Sequence, residues 1–133
     1  MRKHLLTLFA LTLALFAAGC GGDNAVAPQY QPQVVNTPNV VFTFQATGLQ
    51  DVTDVLSYNW SSSSGSIVIH PATATTSGTI ILNIKDASGA VVYDGTVPSS
   101  GDITPADGDP GIWTIRLSLA NYTGTINFEV QMQ

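Results

Sequence analysis

The chain has 133 residues, of which 44% are hydrophobic and 10% charged, and its net charge is −5. This composition indicates one globular domain rather than a disordered chain. Four lysines and arginines stand against nine acids, which argues against nucleic acid as a partner and against electrostatic attachment to anionic lipid. The single cysteine excludes a disulfide within the chain.

Residues 1–19 have the layout of a signal peptide. Arg2 and Lys3 form a basic head, and residues 5–18 carry no charge. These 14 residues are fewer than the roughly 20 that a transmembrane helix needs. Small side chains follow at Ala17, Ala18 and Gly19, as a signal peptidase requires next to the bond it cuts. The sequence therefore predicts export.

The segment Ala17-Ala18-Gly19-Cys20 resembles the lipobox of bacterial lipoproteins, with Ala17 standing where Leu is usual. The resemblance covers only the first 20 or so residues. It implies cleavage between Gly19 and Cys20, and a diacylglycerol on the thiol of Cys20. The mature chain would keep two cations and nine acids, a net charge of −7, so lipid rather than charge would hold it at the membrane. Gly21, in place of the Asp that retains enterobacterial lipoproteins at the inner membrane, favours the outer membrane if the source has two.

Two other interpretations of this region stay open. An ordinary signal peptide could be cut after Ala25-Val26-Ala27, although Pro28 disfavours cleavage there. The apolar run could also remain as an uncleaved anchor.

Residues 20–38 are predicted to be the lipidated terminus and a flexible tether, because their prolines, glycines and glutamines leave no helical or strand periodicity of apolar residues. Val34 and Val35 could add a short edge strand. Residues 39–133 are predicted to form the folded domain.

Alternation of apolar and polar residues predicts seven strands in this domain: 40–46, 55–60, 67–69, 79–85, 91–93, 113–119 and 126–132. Turns are predicted at Gly48, at residues 86–89 and at residues 121–124, and a long polar loop at residues 98–111. The expected fold is all-β: a single antiparallel β-sandwich, Ig-like or jelly-roll-like, of about seven to eight strands.

Segments 82–92, 111–117 and 122–130 resemble the paired strands of bacterial pre-peptidase C-terminal type domains. In that family the sandwich is a non-catalytic accessory module of secreted proteins, sometimes implicated in surface or polymer binding. The resemblance implies the fold more directly than it implies a function.

Asp102, Asp107 and Asp109 are weak candidates for a calcium site, because calcium takes several oxygen ligands from one flexible loop. Their spacing does not match the EF-hand pattern, and a solvated turn is the alternative. No other metal and no cofactor is expected besides the covalent lipid on Cys20, since zinc would need more histidines or cysteines than His70 alone.

Trp60 and Tyr122 are predicted as possible ligand-binding side chains, because they neighbour a loop and a turn where exposed aromatic rings can stack on sugars. Trp113 and Tyr58 lie on apolar stripes and are expected in the core. A Ser-His-Asp hydrolase centred on His70 ranks last, because the chain lacks a Gly-x-Ser-x-Gly elbow.

The expected function is that of a membrane-anchored lipoprotein with a non-enzymatic structural or interaction domain. A carbohydrate-binding or surface-adhesion module is the first alternative, and a small secreted hydrolase is the second. The expected partners are the membrane, through the lipid, and a protein or polysaccharide of the cell envelope.

Overall fold

A computed structural model describes residues 32–133, which form an all-β fold without a helix in that range. Its six strands are β1 (Gln33–Thr37), β2 (Val41–Ser62), β3 (Ile67–Pro71), β4 (Ala74–Lys85), β5 (Val91–Thr96) and β6 (Gly111–Met132). The predicted all-β, sandwich-like fold is confirmed.

Every pairing in the sheet is antiparallel, and the strand order is β1-β2-β6-β4-β5, with β3 also paired to β6. β2 and β6 have 22 residues each and pair along almost their whole length. β3 and β4 follow one another along the other side of β6, from the pair Ile67–Met132 to the pair Lys85–Thr114. Three long ribbons therefore run side by side: β2, β6, and the line formed by β3 and β4.

These ribbons bend sharply in the middle. A straight strand of 22 residues would span roughly 70 Å, yet the amide N of Asn39, just before β2, lies 2.8 Å from the carbonyl O of Ser61 near its end. The bend folds the sheet onto itself as two halves. The first half contains β1, β3, the beginning of β2 and the end of β6. The second half contains β4, β5, the end of β2 and the beginning of β6.

The bend is built from bulges. Asp51 in β2 and Asn121 in β6 have positive φ angles of 50° and 47°, a conformation that Asp and Asn tolerate better than most residues. Asn121 Nδ2 donates to Asp51 Oδ1 at 3.0 Å, Asp51 N donates to Thr123 Oγ1 at 3.0 Å, and Asn121 N donates to Thr53 Oγ1 at 2.9 Å. Side chains thus replace the ladder bonds that the register shifts remove.

The turns predicted at Gly48 and at residues 121–124 are wrong, because β2 and β6 continue through them. The same residue types serve turns and bulges, since both need positive φ and local side-chain bonds. Two pairs of predicted strands are therefore two long bent strands, which gives six strands within residues 32–133 rather than seven or eight. β1 includes Val34 and Val35, so the sheet begins before the expected domain boundary at Asn39.

The core lies between the two halves and contains side chains from both. Phe42 and Phe44 of the first half pack against Tyr58 of the second half and against Phe128 of the first, with ring centroids 5.3–6.2 Å apart. Trp113 is fully buried in the second half. One contiguous apolar core therefore holds the bent sheet closed.

The segment 97–110 crosses the edges of the sheet and closes one side of the sandwich. Ile103 pairs with Ile69 of β3 through two backbone hydrogen bonds of 2.8 and 2.9 Å. Ala106 N donates to Val92 O of β5 at 3.1 Å. We call this segment the strap, because it connects the edge of β3 to the edge of β5.

Candidate functional site

Two of the predicted site residues, Gly19 and Cys20, lie outside the described residues. Within residues 32–133 no helix is long and apolar enough to cross a membrane.

The three aspartates proposed for calcium bond to different groups. Asp102 Oδ1 lies 2.7 Å from His70 Nδ1, and Asp107 Oδ1 accepts from Ser66 Oγ at 2.8 Å. Asp109 bonds through its backbone, with its N–H donating to Asp86 Oδ2 at 2.8 Å. No cluster of three metal-ligating side chains occurs in the described part of the chain. The geometry therefore gives the calcium hypothesis no support.

Asp86 is the most elaborately bonded carboxylate of the described residues. Its Oδ1 accepts from Ser88 N, Ser88 Oγ and Ala90 N at 2.7–2.9 Å, and its Oδ2 accepts from Asp109 N. The backbone N–H of Asp109, followed by the Ser88 hydroxyl and the other amides, lowers the pKa of Asp86, although burial opposes the shift. The side chain is only 6% exposed. Asp86 thus joins the β4–β5 turn to the strap.

Sequence reasoning placed Asp86 in a turn but missed this role. An Asp two residues before Ser88 predicts the local bonds of an Asx turn. The bond to Asp109 spans 23 residues of sequence, and no local signal indicates it. A close approach at Gly108 accompanies it, since a Cβ there would lie 2.6 Å from Asp86 Cβ.

His70 is bonded at both ring nitrogens. Nδ1 lies 2.7 Å from Asp102 Oδ1 on the strap, and Nε2 lies 3.2 Å from Gln131 Oε1 on β6. The hydrogen bond to Asp102 and then the hydrogen bond to Gln131 raise the pKa of His70. Burial opposes them, and the charges of Asp102 and Glu129 add to the rise. In a Ser-His-Asp triad one ring nitrogen faces the serine hydroxyl. Here Gln131 takes that position, so the arrangement differs from that of a triad.

Trp60 and Tyr122 are not on the surface, and this expectation is wrong. Trp60 is 1% exposed and Tyr122 is 0% exposed. Trp60 shares the inward face of β2 with Leu56, and its Nε1 donates to Thr37 O at 3.1 Å. Tyr122 follows the bulge that turns its side chain inward, and its hydroxyl lies 3.2 Å from Thr75 Oγ1. Neither ring offers a face to a sugar.

No pocket occurs within residues 32–133. The outer face of the second half is an open surface with a polar centre, which we call the polar face, and Val55, Val91 and Ile112 are exposed at its margins. Its central side chains are Ser57, Asn59, Asn83, Lys85, Thr114 and Arg116. Sequence alternation predicts that these side chains point outward, but only the strand order places them next to one another.

No known protein family matches this chain, and no curated protein is significantly similar to it.

Proposed function

We propose that this chain is a bacterial lipoprotein whose folded domain is a non-enzymatic structural or interaction module at the cell envelope. The observation that carries the proposal is the stretch that ends at Cys20. A basic head, 14 uncharged residues and Ala17-Ala18-Gly19 precede the only cysteine of the chain. This arrangement suits a cysteine that receives lipid after export.

The position of β1 supports this anchoring scheme. Twelve residues, 21–32, separate Cys20 from the first strand residue, Gln33. In an extended polyproline conformation they would span at most about 37 Å. The domain would therefore lie close to the lipid headgroups, with enough reach to meet other components of the envelope.

The fastening of the strap supports an interaction role for the domain. The strap is fastened by backbone bonds to Ile69, Val92 and Gly65 and by the side chain of Asp86. Such fastening favours a rigid scaffold that presents fixed surfaces.

We propose the outer membrane as the location if the source has two membranes, following the resemblance at Gly21.

Fatty-acid labelling of growing cells tests this proposal. Wild-type protein should incorporate labelled palmitate and sediment with membranes, whereas Cys20→Ser should do neither. The conservative change leaves the export signal and the domain intact, so comparable expression of the variant is the control. Wild-type protein that takes up no label would contradict the proposal.

A further inference from the structure

We propose that the polar face binds an acidic polysaccharide, with Arg116 and Lys85 holding its carboxylates. This inference rests on the proposed function, because it names the ligand class of an anchored, non-enzymatic envelope module.

The register of the sheet places the two cations side by side. Arg116 of β6 lies opposite Asn83 of β4. Lys85, two residues after Asn83, lies opposite Thr114, two residues before Arg116. Diagonal neighbours of this kind are about 7–8 Å apart. Both side chains are exposed, and the residues that flank them in sequence, Ile84 among them, are buried. The two charges therefore point outward from the same face.

These are the only lysine and arginine in residues 32–133, a range with eight acids. Neither forms an ion pair, since the single ion pair in the described residues joins His70 and Asp102. Asp94 of β5 shares the face, opposite Asn83 and thus at its margin. An acidic domain has concentrated its positive charge at one place and left it without a partner among the described residues.

On β2, β4 and β6 the cross-strand neighbours of the two cations are hydroxyls and amides, and on β5 the exposed Val91 lies opposite Lys85. Ser57 lies opposite Arg116 on the β2 side, and Asn59 lies opposite Thr114. Among the described residues, the side-chain hydrogen bonds lie in the loops, at the bend and along other faces. None of them involves the side chain of Ser57, Asn59, Thr114 or Arg116. Their donors and acceptors are thus available to a ligand.

A polysaccharide with carboxylates matches this chemistry. The guanidinium of Arg116 can hold a carboxylate with two parallel hydrogen bonds, and Ser57 and Asn59 can bond to sugar hydroxyls. The face spans four strands, roughly 14 Å across at an interstrand spacing of about 4.8 Å, so it suits an extended polymer better than a small molecule.

Binding of polygalacturonate to the purified mature protein in detergent micelles tests the inference, with dextran as the neutral control polymer. We expect polygalacturonate to bind and dextran not to bind. Arg116→Gln and Lys85→Gln should each weaken the affinity about tenfold, since each removes a charged donor. Gln45→Glu is the matched control, because it changes the net charge equally but lies on the outer face of the first half. It should change the affinity less than about twofold.

Three results would overturn the inference: no binding of polygalacturonate by the wild type, unchanged affinity in both cation variants, or equal weakening in Gln45→Glu. Unchanged melting temperatures would show that the variants are folded. If Cys20 is lipidated but the protein does not bind polygalacturonate, only this inference is refuted. Polysaccharide binding by a protein without lipid would instead refute the proposed anchoring.

Discussion

At the scale of single residues, two titratable side chains fasten the strap to the sandwich from opposite ends. Asp86 bonds to Asp109 N, and His70 bonds to Asp102. The pKa of Asp86 is lowered and that of His70 is raised, so falling pH should loosen the first attachment and rising pH the second.

Asp86→Asn should lower the melting temperature at neutral pH, because the amide group cannot accept all the hydrogen bonds that the carboxylate receives. Asp94→Asn is the control, since Asp94 is exposed and its side chain accepts no hydrogen bond among the described residues. Thermal melts of both variants measure the difference. Equal melting temperatures in the two variants would show that Asp86 does not fasten the strap.

Acid should also remove the contribution of Asp86 in the wild type. The folded pKa lies below the ordinary 3.8, so the stabilisation is present above pH 3.8 and is lost as the pH falls through the folded value. The melting temperature of Asp86→Asn should accordingly approach that of the wild type as the pH falls below 3.8. A difference that stays constant down to the lowest pH would contradict this linkage.

His70 should give the opposite pH dependence. Its folded pKa lies above the ordinary 6.5, so its ion pair with Asp102 stabilises fully below pH 6.5 and is lost as the pH rises through the folded value. The advantage of the wild type over His70→Gln should be largest below pH 6.5 and should shrink at higher pH. It should not exceed about 1 kcal/mol, because the pair is exposed to solvent. Melts of both proteins across this range would reject the idea if the two curves run parallel.

At the scale of elements, the bend determines the architecture, since it turns three long ribbons into two packed halves. Gly78 in β4 lies at a register shift of its pairing with β6, beside the bulge at Asn121. Its φ is +78°, and a Cβ at this position would lie 2.1 Å from the carbonyl O of Asn121. The backbone of β6 would have to shift to accommodate any side chain there.

Gly78→Ala and Gly48→Ala form a matched pair at this bend. Both glycines have positive φ, so both alanines incur a backbone cost of about 1–2 kcal/mol. Only Gly78 also faces a backbone clash, because nothing lies within 4 Å of a Cβ at Gly48. Gly78→Ala should therefore cost roughly 1–3 kcal/mol more, and its melting temperature should be lower by at least about 4 °C. Equal losses of melting temperature in the two variants would mean that the backbone at the bend shifts easily to make room for the added methyl group.

The strands themselves were predictable because alternation of apolar and polar residues is a local signal. Residues 113–119 show it clearly, and β6 buries the expected side chains there. The bend was not predictable, because Asp, Asn and Gly mark turns and bulges alike. Which of the two forms depends on whether a partner strand continues alongside, as β6 does along β2.

The difference between local and long-range signals also explains the outcome for the candidate sites. Trp60 was expected on the surface because a serine loop follows it, but the alternation within β2 turns it inward. The proximity of Arg116 and Lys85 depends on the pairing of β4 with β6. Thr114, which lies opposite Lys85, comes 29 residues later in the sequence. Long-range pairing of this kind leaves no local trace in a single sequence.

At the scale of the whole molecule, the proposed lipid on Cys20 would hold a rigid sandwich at the membrane through a short connecting segment. The acidic domain would be held at the membrane by lipid and not by charge. The lysine and arginine of the polar face would then be presented to the surrounding envelope.

The intact mass of the protein extracted from membranes tests the proposed lipidation of Cys20. We expect a chain that begins at Cys20 and is heavier than the bare polypeptide by a diacylglycerol, with or without a further acyl chain on its amino group. An unmodified mass, or a chain that begins at Pro28 after the alternative cleavage site, would contradict it.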